Sequence, residues 1–311
     1  MTVSIGSAPR DQAERLRELV AASEARRPQL LGRPGYYLAP DSERTPRTRV
    51  LTIASGKGGV GKTNLVVNLG IALAQRGLRV GILDADLGLA NIDIVLGMVP
   101  PYNLVHVLRG EKGIAEIMVR GPEGIQVFAG GSGVYELANV GQWHLDRFIA
   151  GLRELDGELD VCLIDTGAGI GRQVMSFVDA AQEAVIVTTP EPTAVTDAYG
   201  LVKMVSLHNQ EATVQIVVNM ADNQAEGRAI FERLRAVSRR FLGLEIAYLG
   251  AVERDGAVTK AVREQRPFVL ASPHSRAAKA VQRLAEALTA SAPERPQGLG
   301  GIFQKMLRLS R

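Results

Sequence analysis

The chain contains a single cysteine in 311 residues, Cys162, few aromatic residues and no long apolar run. One cysteine excludes an intrachain disulfide framework and a zinc or iron–sulfur site built from the cysteines of one chain, so we expect a reducing, cytoplasmic environment. Because no apolar run reaches the roughly 18 residues of a membrane span, and residues 1–27 are polar and charged, we expect neither a transmembrane helix nor a signal peptide. Cys162 lies in an apolar run and is interpreted as a small buried hydrophobic residue.

The net charge is small, since 36 basic side chains face 33 acidic ones, but the charge is unevenly distributed. Residues 1–50 hold nine basic and six acidic side chains, residues 51–292 hold 23 and 26, and residues 293–311 hold four and one. A slightly acidic body argues against direct nucleic-acid binding. Two basic ends indicate a separate partner for each end.

Short β-branched runs alternate with longer helical patterns from residue 50 to about residue 290. The predicted strands are 50–55, 80–84, 125–129, 161–165, 184–188, 214–218 and 246–249. The predicted helices include 63–76, 141–155, 171–181, 193–208, 226–241 and 274–289. Because several strands read as buried on both faces, the pattern predicts an α/β fold in three layers, a mostly parallel twisted β-sheet flanked by helices on both faces.

Four segments are predicted along the chain. Residues 1–22 contain an amphipathic helix, 23–49 form a proline-containing flexible linker, 50–292 form the body, and 293–311 form a second linker and a C-terminal amphipathic helix. An isolated helix of about three turns is marginal in water. The first helix therefore either docks on its own body or binds a partner, and both interpretations stay open.

A glycine-rich loop follows the first predicted strand and leads directly into a helix. The loop reads Gly56, Lys57, Gly58, Gly59, Val60, Gly61, Lys62, Thr63, with Asn64 next. Its glycines let backbone N–H groups surround phosphate oxygens, and the helix N-terminus adds a positive end. Lys62 neutralises the β- and γ-phosphates and the Thr63 hydroxyl binds Mg²⁺, so the loop predicts a site for ATP with Mg²⁺.

Three carboxylates follow predicted strands at one edge of the sheet. Asp84 and Asp86 lie two residues apart at the end of the second strand, so both point into the crevice at the carboxyl ends of the strands. Asp165 ends the apolar run VCLID, a pattern whose carboxylate holds Mg²⁺. We therefore predict a metal site formed by Thr63, Asp84, Asp86 and Asp165, with Asp84 holding either Mg²⁺ or the segment that follows it.

Contacts to the nucleotide base are predicted at later strand ends. The amide of Asn219 can pair with the edge of an adenine ring. Residues 251–255 follow the next strand and would cover the ring. This adds Val252, Glu253 and Arg254 to the predicted ATP site.

Lys57 is a second lysine in the loop, where Lys62 already neutralises phosphate charge. A lysine here resembles the signature of the MinD/ParA family of ATPases, which carry a deviant Walker A loop. The resemblance implies a homodimer formed on ATP, in which Lys57 reaches the partner's nucleotide and acts in catalysis with Lys62 and Asp86. Asp86 would orient the attacking water, and the turn after Asp165 would sense the γ-phosphate. That turn has Gly167 where the family more often has proline.

Further segments resemble one group of that family, the FlhG/FleN regulators of flagellar number and placement. They are DADLGLANIDIVLG at 84–97, TTPEPTAVTDAYGLVKM at 188–204, the GKTN form of the loop and DQAERLR at 11–17. The resemblance implies that the N-terminal helix stimulates the GTPase FlhF, with Gln12 positioning a water in the GTPase site. The residues assigned to this activation are Asp11, Gln12, Ala13, Leu16 and Arg17.

The C-terminal segment GLGGIFQKMLRLSR predicts a short basic amphipathic helix. Its predicted membrane-contacting residues are Ile302, Phe303, Lys305, Met306, Leu307 and Arg308. The segment resembles the membrane-targeting sequence of MinD, which implies reversible attachment to anionic lipid on the inner face of the cell membrane. The alternative is a last helix packed on the body, which the proline- and glycine-rich linker before it argues against.

These observations predict a slow ATPase, forming ADP and phosphate, that dimerises on ATP–Mg²⁺ and regulates flagellar number with an FlhF-type GTPase. Flagellar C-ring proteins or a flagellar transcription activator are further candidate partners, and no direct nucleic-acid partner is expected. Two alternatives stay open. One is a ParA- or MinD-type partitioning or division-site ATPase, and the other is a mainly non-catalytic adaptor or anti-activator of a flagellar transcription regulator.

Overall fold

A computed structural model describes residues 47–86, 91–130, 142–291, 293 and 295–309 of the chain. The predicted GTPase-activating residues 11–17 and the predicted linker up to residue 46 lie outside the described residues. So do residues 87–90, which follow the second strand, and residues 131–141.

An eight-stranded sheet forms the centre of the body. Its strands are β1 (Arg49–Ser55), β2 (Val80–Ala85), β3 (Met118–Arg120), β4 (Gln126–Phe128), β5 (Val161–Ala168), β6 (Glu183–Thr188), β7 (Thr213–Ala221) and β8 (Ala247–Glu253). Their order across the sheet is β3-β4-β2-β5-β1-β6-β7-β8. All pairs are parallel except β3 with β4.

Helices cover both faces of this sheet. They are α1 (Lys62–Gln75), α2 (Ile92–Leu96), α3 (Leu104–Leu108), α4 (Gln142–Glu154), α5 (Arg172–Ala180), α6 (Pro192–His208), α7 (Gln224–Leu242), α8 (Gly256–Arg263), α9 (Phe268–Ala271), α10 (Arg276–Ala290) and α11 (Leu299–Leu309). Two short 3₁₀ turns, Ile114–Ile117 and Pro122–Gly124, flank β3.

Successive residues of one strand serve different cores, because strand side chains alternate between the two faces of a sheet. In β5, Leu163 packs with α1 and α10, whereas its neighbours Cys162 and Ile164 pack with α4 and α11 on the opposite face. All three side chains are fully buried. The continuous apolar run VCLID is therefore a central strand covered on both sides, and the predicted three-layer α/β fold is confirmed.

The long predicted elements all occur, with ends shifted by up to four residues. Strand β3 was not predicted, and it makes the sheet's antiparallel edge. The helices α2, α3, α8 and α9 were also missed, since four to eight residues offer too few turns for a helical period to show. Among the described residues, no helix combines the length and apolar content of a membrane span.

Helix α11 packs on the body, contrary to the expectation that its linker detaches it. Ile302, Phe303 and Met306 are no more than 2% exposed. The ring of Phe303 meets Phe148 of α4 and Phe177 of α5 edge to face, with ring centroids 5.3 Å and 5.7 Å apart. In this structure the apolar face of α11 is therefore covered by protein rather than presented to a membrane.

The polar side of α11 is less buried. Leu307 is half-buried against the same cluster, Lys305 Nζ donates a hydrogen bond of 3.4 Å to Asn209 Oδ1, and Arg308 is exposed. Of the six residues predicted to contact membrane, only Arg308 is exposed. The structure therefore shows the alternative given above, a last helix packed on the body.

The glycines that suggested a flexible linker allow close packing instead. Gly298 has φ of +79°, and a Cβ there would lie 2.6 Å from Asp156 Oδ2. A Cβ on Gly300 would lie 2.3 Å from Cγ of Arg153. Asp156 Oδ1 also accepts a hydrogen bond of 2.8 Å from the backbone N–H of Leu299 at the start of α11. Glycine permits both a left-handed backbone and close approach, so its presence here is not evidence of flexibility.

Candidate functional site

The glycine-rich loop connects β1, at the middle of the sheet, to the N-terminus of α1. Gly59 and Gly61 have φ of +80° and +81°, a region that favours glycine. Gly61 is the N-cap of α1 and supplies no side-chain hydrogen bond to its first turn. The free N–H groups of a helix N-terminus carry partial positive charge, so this end of α1 can accept phosphate.

Gly56 has a separate steric role. A Cβ at this position would lie 2.5 Å from the backbone carbon and oxygen of Asp197 in α6. No side chain fits that gap, so Gly56 lets the loop pass against α6.

Lys62 and Thr63, the first residues of α1, converge on Asp165 in the second half of β5. Lys62 Nζ lies 2.5 Å from Asp165 Oδ1 and also donates a hydrogen bond to the Thr166 carbonyl. The Thr63 hydroxyl lies near enough to the same carboxylate to lower its pKa. A lysine, a hydroxyl and a carboxylate that the sequence predicts for one site thus meet in the fold, although they come from segments about 100 residues apart.

Asp165 has the features of a cation ligand. Its side chain is 1% exposed, and Oδ2 is buried without a hydrogen-bond partner among the described residues. Burial raises the pKa of the carboxyl above its usual range, while Lys62 and the Thr63 hydroxyl oppose the rise. A buried oxygen without a partner is costly unless something binds it. The Thr63 hydroxyl and this carboxylate are hard oxygen donors and fit Mg²⁺.

Among the described residues, no three histidine, cysteine, aspartate or glutamate side chains converge as a metal centre of their own. Mg²⁺ commonly binds through one or two protein oxygens together with substrate phosphates. The donor set of Thr63 and Asp165 beside a phosphate loop matches that mode.

Asp84 lies next to Asp165 in the sheet but uses both oxygens locally. Oδ1 accepts the Asp86 N–H at 3.1 Å, and Oδ2 accepts the Asn91 and Ile92 N–H groups at 3.0 Å and 3.2 Å. Burial raises the pKa of this carboxyl to about 6, against the lowering effect of these amides. Of the two roles left open by the sequence, holding the segment after β2 is the one that these contacts serve.

Asp86 lies beside Gly167, in the segment predicted as a turn after Asp165, which the structure includes in β5. A Cβ on Gly167 would lie 3.6 Å from Asp86 Oδ1, which is ordinary contact distance. The charge of Asp86 raises the pKa of the nearby Asp165 carboxyl. The two segments predicted to respond to nucleotide therefore meet in the structure.

Lys57 points along the surface to the start of α6. Its Nζ lies 2.9 Å from Glu191 Oε2 and 3.0 Å from Thr193 Oγ1, and its side chain is 41% exposed. The hydrogen bond from Lys57 holds the pKa of the Glu191 carboxyl below its usual range. Glu191 and Thr193 were not predicted as site residues, although both follow the end of β6 at the edge that carries the loop.

Of the predicted base-contacting residues, Asn219 contacts the glycine-rich loop, and the three residues later in the chain, Val252, Glu253 and Arg254, lie at or after the end of β8. Asn219 Nδ2 donates a hydrogen bond of 2.7 Å to the carbonyl of Val60, so this amide is in contact with the loop. Val252 is 3% exposed and packs in the core, so its side chain cannot cover a ring. Glu253 pairs with Arg276, and Arg254 is exposed after β8.

Comparison with known proteins identifies the same nucleotide-binding architecture. Residues 51–268 match the model of the CobQ/CobB/MinD/ParA nucleotide-binding domain. The chain is 39% identical over 260 residues to the antiactivator FleN of Pseudomonas aeruginosa, covering 83% of this chain and 93% of that protein. It is 37% identical over 268 residues to the flagellum site-determining protein YlxH of Helicobacter pylori, covering 84% and 90%.

Solved structures agree with the sequence relatives. The cell-division ATPase MinD of Pyrococcus furiosus superposes with a TM-score of 0.63 at 29% identity, covering 77% of this chain and 97% of that one. The septum site-determining protein MinD of Pyrococcus horikoshii, solved in complex with Mg-ADP, gives 0.63 at 28% identity, covering 77% and 95%.

Proposed function

The chain belongs to the MinD/ParA family of nucleotide-binding proteins, in the group of ATPases that contains FleN and YlxH, and from this premise we propose a nucleotide switch that controls flagellar number or placement. Its ligands are ATP and ADP with Mg²⁺. The observation that carries the proposal is the convergence of Lys62, Thr63 and Asp165 beside the glycine loop.

The site residues have distinct tasks in ATP hydrolysis. The backbone of the loop and Lys62 bind the phosphates, and Lys62 exchanges its contact with Asp165 for phosphate oxygens. Thr63 and Asp165 would hold Mg²⁺, which neutralises charge that develops on the transferred phosphoryl group. Asp86 orients the attacking water, and Asp84 fixes the backbone that carries Asp86.

Dimerisation on ATP is the second part of the proposal. Lys57 leaves Glu191 and Thr193 and reaches the nucleotide of a second copy, where its charge stabilises the transferring phosphoryl group. Its exposure and its pairing with an exposed carboxylate support this role, because a surface ion pair is easily exchanged.

Membrane attachment through α11 is the third part. The helix has apolar residues on one side and Lys305 and Arg308 on the other, which suits an interfacial helix once it leaves the body. Because Phe303 is buried in the described state, attachment requires release of α11. Two helices in one dimer would bind more strongly than one.

The N-terminal helix is proposed to act on an FlhF-type GTPase through Gln12. Flagellar C-ring proteins or a flagellar transcription activator are the further partners that we propose, and the name of the FleN relative, an antiactivator, favours the second of these.

One experiment tests the switch directly. Oligomeric state is measured by light scattering with ADP and with ATP, for the full chain and for a chain lacking residues 298–311, followed by co-sedimentation with anionic liposomes or DNA. We expect a dimer only with ATP, and liposome binding only with ATP and residues 298–311. ATP-dependent binding to DNA instead of liposomes would favour a ParA-type partitioning role and contradict the proposal.

A further inference from the structure

Met220 has an unusual backbone at the end of β7. Its φ is +58°, a left-handed conformation that is rare for a residue with a side chain and stores strain. The pairing of β7 with β8 shifts register between Asn219 and Ala221, so Met220 is the extra residue of a bulge. Bulges of this kind re-aim a side chain, often beside a functional site.

The bulge directs Met220 towards the nucleotide loop. A Cβ placed on Gly61 would lie 3.4 Å from Cε of Met220 and 2.6 Å from Nδ2 of Asn219. Met220 is a half-buried residue. A flexible apolar side chain thus lies next to the start of α1.

The groups proposed to bind Mg²⁺ and the phosphates, Asp165 and Lys62, lie with Asp84 on the other side of the loop. Asp84 and Asp165 belong to β2 and β5, whereas β7 lies beyond β6 in the opposite direction across the sheet. Lys62 also pairs towards β5. A nucleotide has a charged phosphate end and an aromatic base end, so its base is best accommodated on the β7 side, near Asn219 and Met220.

We propose that the side chain of Met220 forms an apolar contact surface for the nucleotide base, and that the strained backbone is retained because it places this side chain there. Thioether sulfur and methyl groups pack favourably against aromatic rings. The proposal rests on the proposed function, since it requires that this chain binds ATP. It assigns base binding to a residue that the motif-based prediction did not include.

The test compares three variants with the wild-type protein. Met220→Gly removes the side chain and suits the positive φ, Met220→Leu keeps an apolar side chain, and Gln265→Gly is the matched control. Gln265 also has a positive φ, +50°, and lies between α8 and α9. Affinities for Mg²⁺-ATP and for Mg²⁺-tripolyphosphate are measured by calorimetry, and folding is checked by circular dichroism and melting temperature.

We expect Met220→Gly to weaken ATP binding about two- to tenfold while tripolyphosphate affinity and the fold are unchanged. Met220→Leu and Gln265→Gly should bind ATP with an affinity within about twofold of the wild type. Wild-type ATP affinity in Met220→Gly would overturn the inference. Equal losses of ATP and tripolyphosphate binding would also overturn it, since Met220 would then act on the loop. A wild-type protein that binds no ATP would refute the proposed function itself.

Discussion

Lys62 and Asp165 form a buried ion pair whose side chains are 7% and 1% exposed, with Nζ 2.5 Å from Oδ1. Removing one member of such a pair leaves an uncompensated buried charge, which costs more than the pair itself contributes. Lys62 can therefore leave Asp165 only when both gain new partners, which in the proposed function are phosphate for Lys62 and Mg²⁺ for Asp165.

This pairing predicts a strongly non-additive mutational pattern. Lys62→Ala should lower the free energy of unfolding by about 3 kcal/mol, because Asp165 loses its cation. Adding Asp165→Asn should recover part of that loss, since the amide carries no charge. Urea denaturation of both single variants and the double variant measures the coupling. Additive losses in the double variant would show that the two side chains do not depend on each other.

Lys57 should be dispensable for binding ATP but necessary for hydrolysis. Lys57→Ala leaves Lys62 in place, so ATP affinity should stay within a few-fold of the wild type. The hydrolysis rate should fall by roughly 10³, the lower range for a cationic finger supplied by a partner. Calorimetry measures the ATP affinity and phosphate release measures the hydrolysis rate. Light scattering measures the ATP-dependent dimers, which we expect to be lost together with hydrolysis.

Lys279→Ala on the exposed side of α10 is the matched control for removal of a lysine, and it should leave dimerisation unchanged. Glu191→Gln removes the acidic partner that Lys57 has within its own chain. It should promote ATP-dependent dimers modestly. Unaltered dimerisation and hydrolysis in Lys57→Ala would refute the role of Lys57 across the dimer.

Cys162 predicts a specific alkaline destabilisation. Burial raises the pKa of its thiol to about 12, from a usual value near 9. Above pH 9 the thiol ionises in the unfolded chain but not in the folded one, so the free energy of unfolding falls as pH rises. Between pH 9 and pH 10 the wild type should lose about 1 kcal/mol more than Cys162→Ala. Urea titrations at both pH values measure the free energy of unfolding of the two proteins. Equal losses in the wild type and Cys162→Ala would mean that folding does not raise the pKa of the thiol.

Much of the site was predictable because its residues lie towards the carboxyl ends of strands in a parallel sheet. Asp84 and Asp165 lie in the second halves of β2 and β5, and the glycine loop follows β1. Carboxyl ends of parallel strands converge at one edge whatever the intervening sequence. The contact between Lys57 and Glu191 was not predictable, since it spans 134 positions and depends on how the start of α6 lies against the loop. The strained backbone at Met220 was not predictable, because methionine has no preference for positive φ that the sequence could reveal.

The C-terminal helix shows why a local pattern can be identified correctly while its environment is not. The amphipathic pattern of 299–309 holds in α11, but the same apolar face suits a membrane and a protein groove. Gly298 and Gly300 indicated a flexible linker because steric contacts with Asp156 and Arg153 cannot be read from one segment.

The N-terminal motif yields a prediction that needs no structure of that segment. A peptide of residues 1–22 should stimulate GTP hydrolysis by an FlhF-type GTPase, and Gln12→Ala should remove most of the stimulation because no side chain then orients the water. Arg15→Ala, within the motif but not assigned to activation, is the control. A Gln12→Ala peptide as active as the wild type would assign the stimulation to another residue.

Release of α11 can be tested by a substitution that leaves its apolar face intact. Gly298→Ala places a Cβ against Asp156 at a φ of +79°, which should weaken docking of the helix. A left-handed alanine costs about 1–2 kcal/mol, equivalent to a shift of roughly five- to thirtyfold towards the undocked helix. Co-sedimentation with anionic liposomes in the absence of ATP should therefore increase.

Gly243→Ala is the matched control, because Gly243 has a φ of +64° at the end of α7 and a Cβ there would meet nothing within 4 Å. It imposes the same backbone strain without touching α11, so its liposome binding without ATP should stay at the wild-type level. If Gly298→Ala also stays at that level, or if both variants rise together, docking of α11 does not limit membrane binding. If deleting residues 298–311 from Gly298→Ala leaves the increased binding intact, the membrane contact lies elsewhere on the chain.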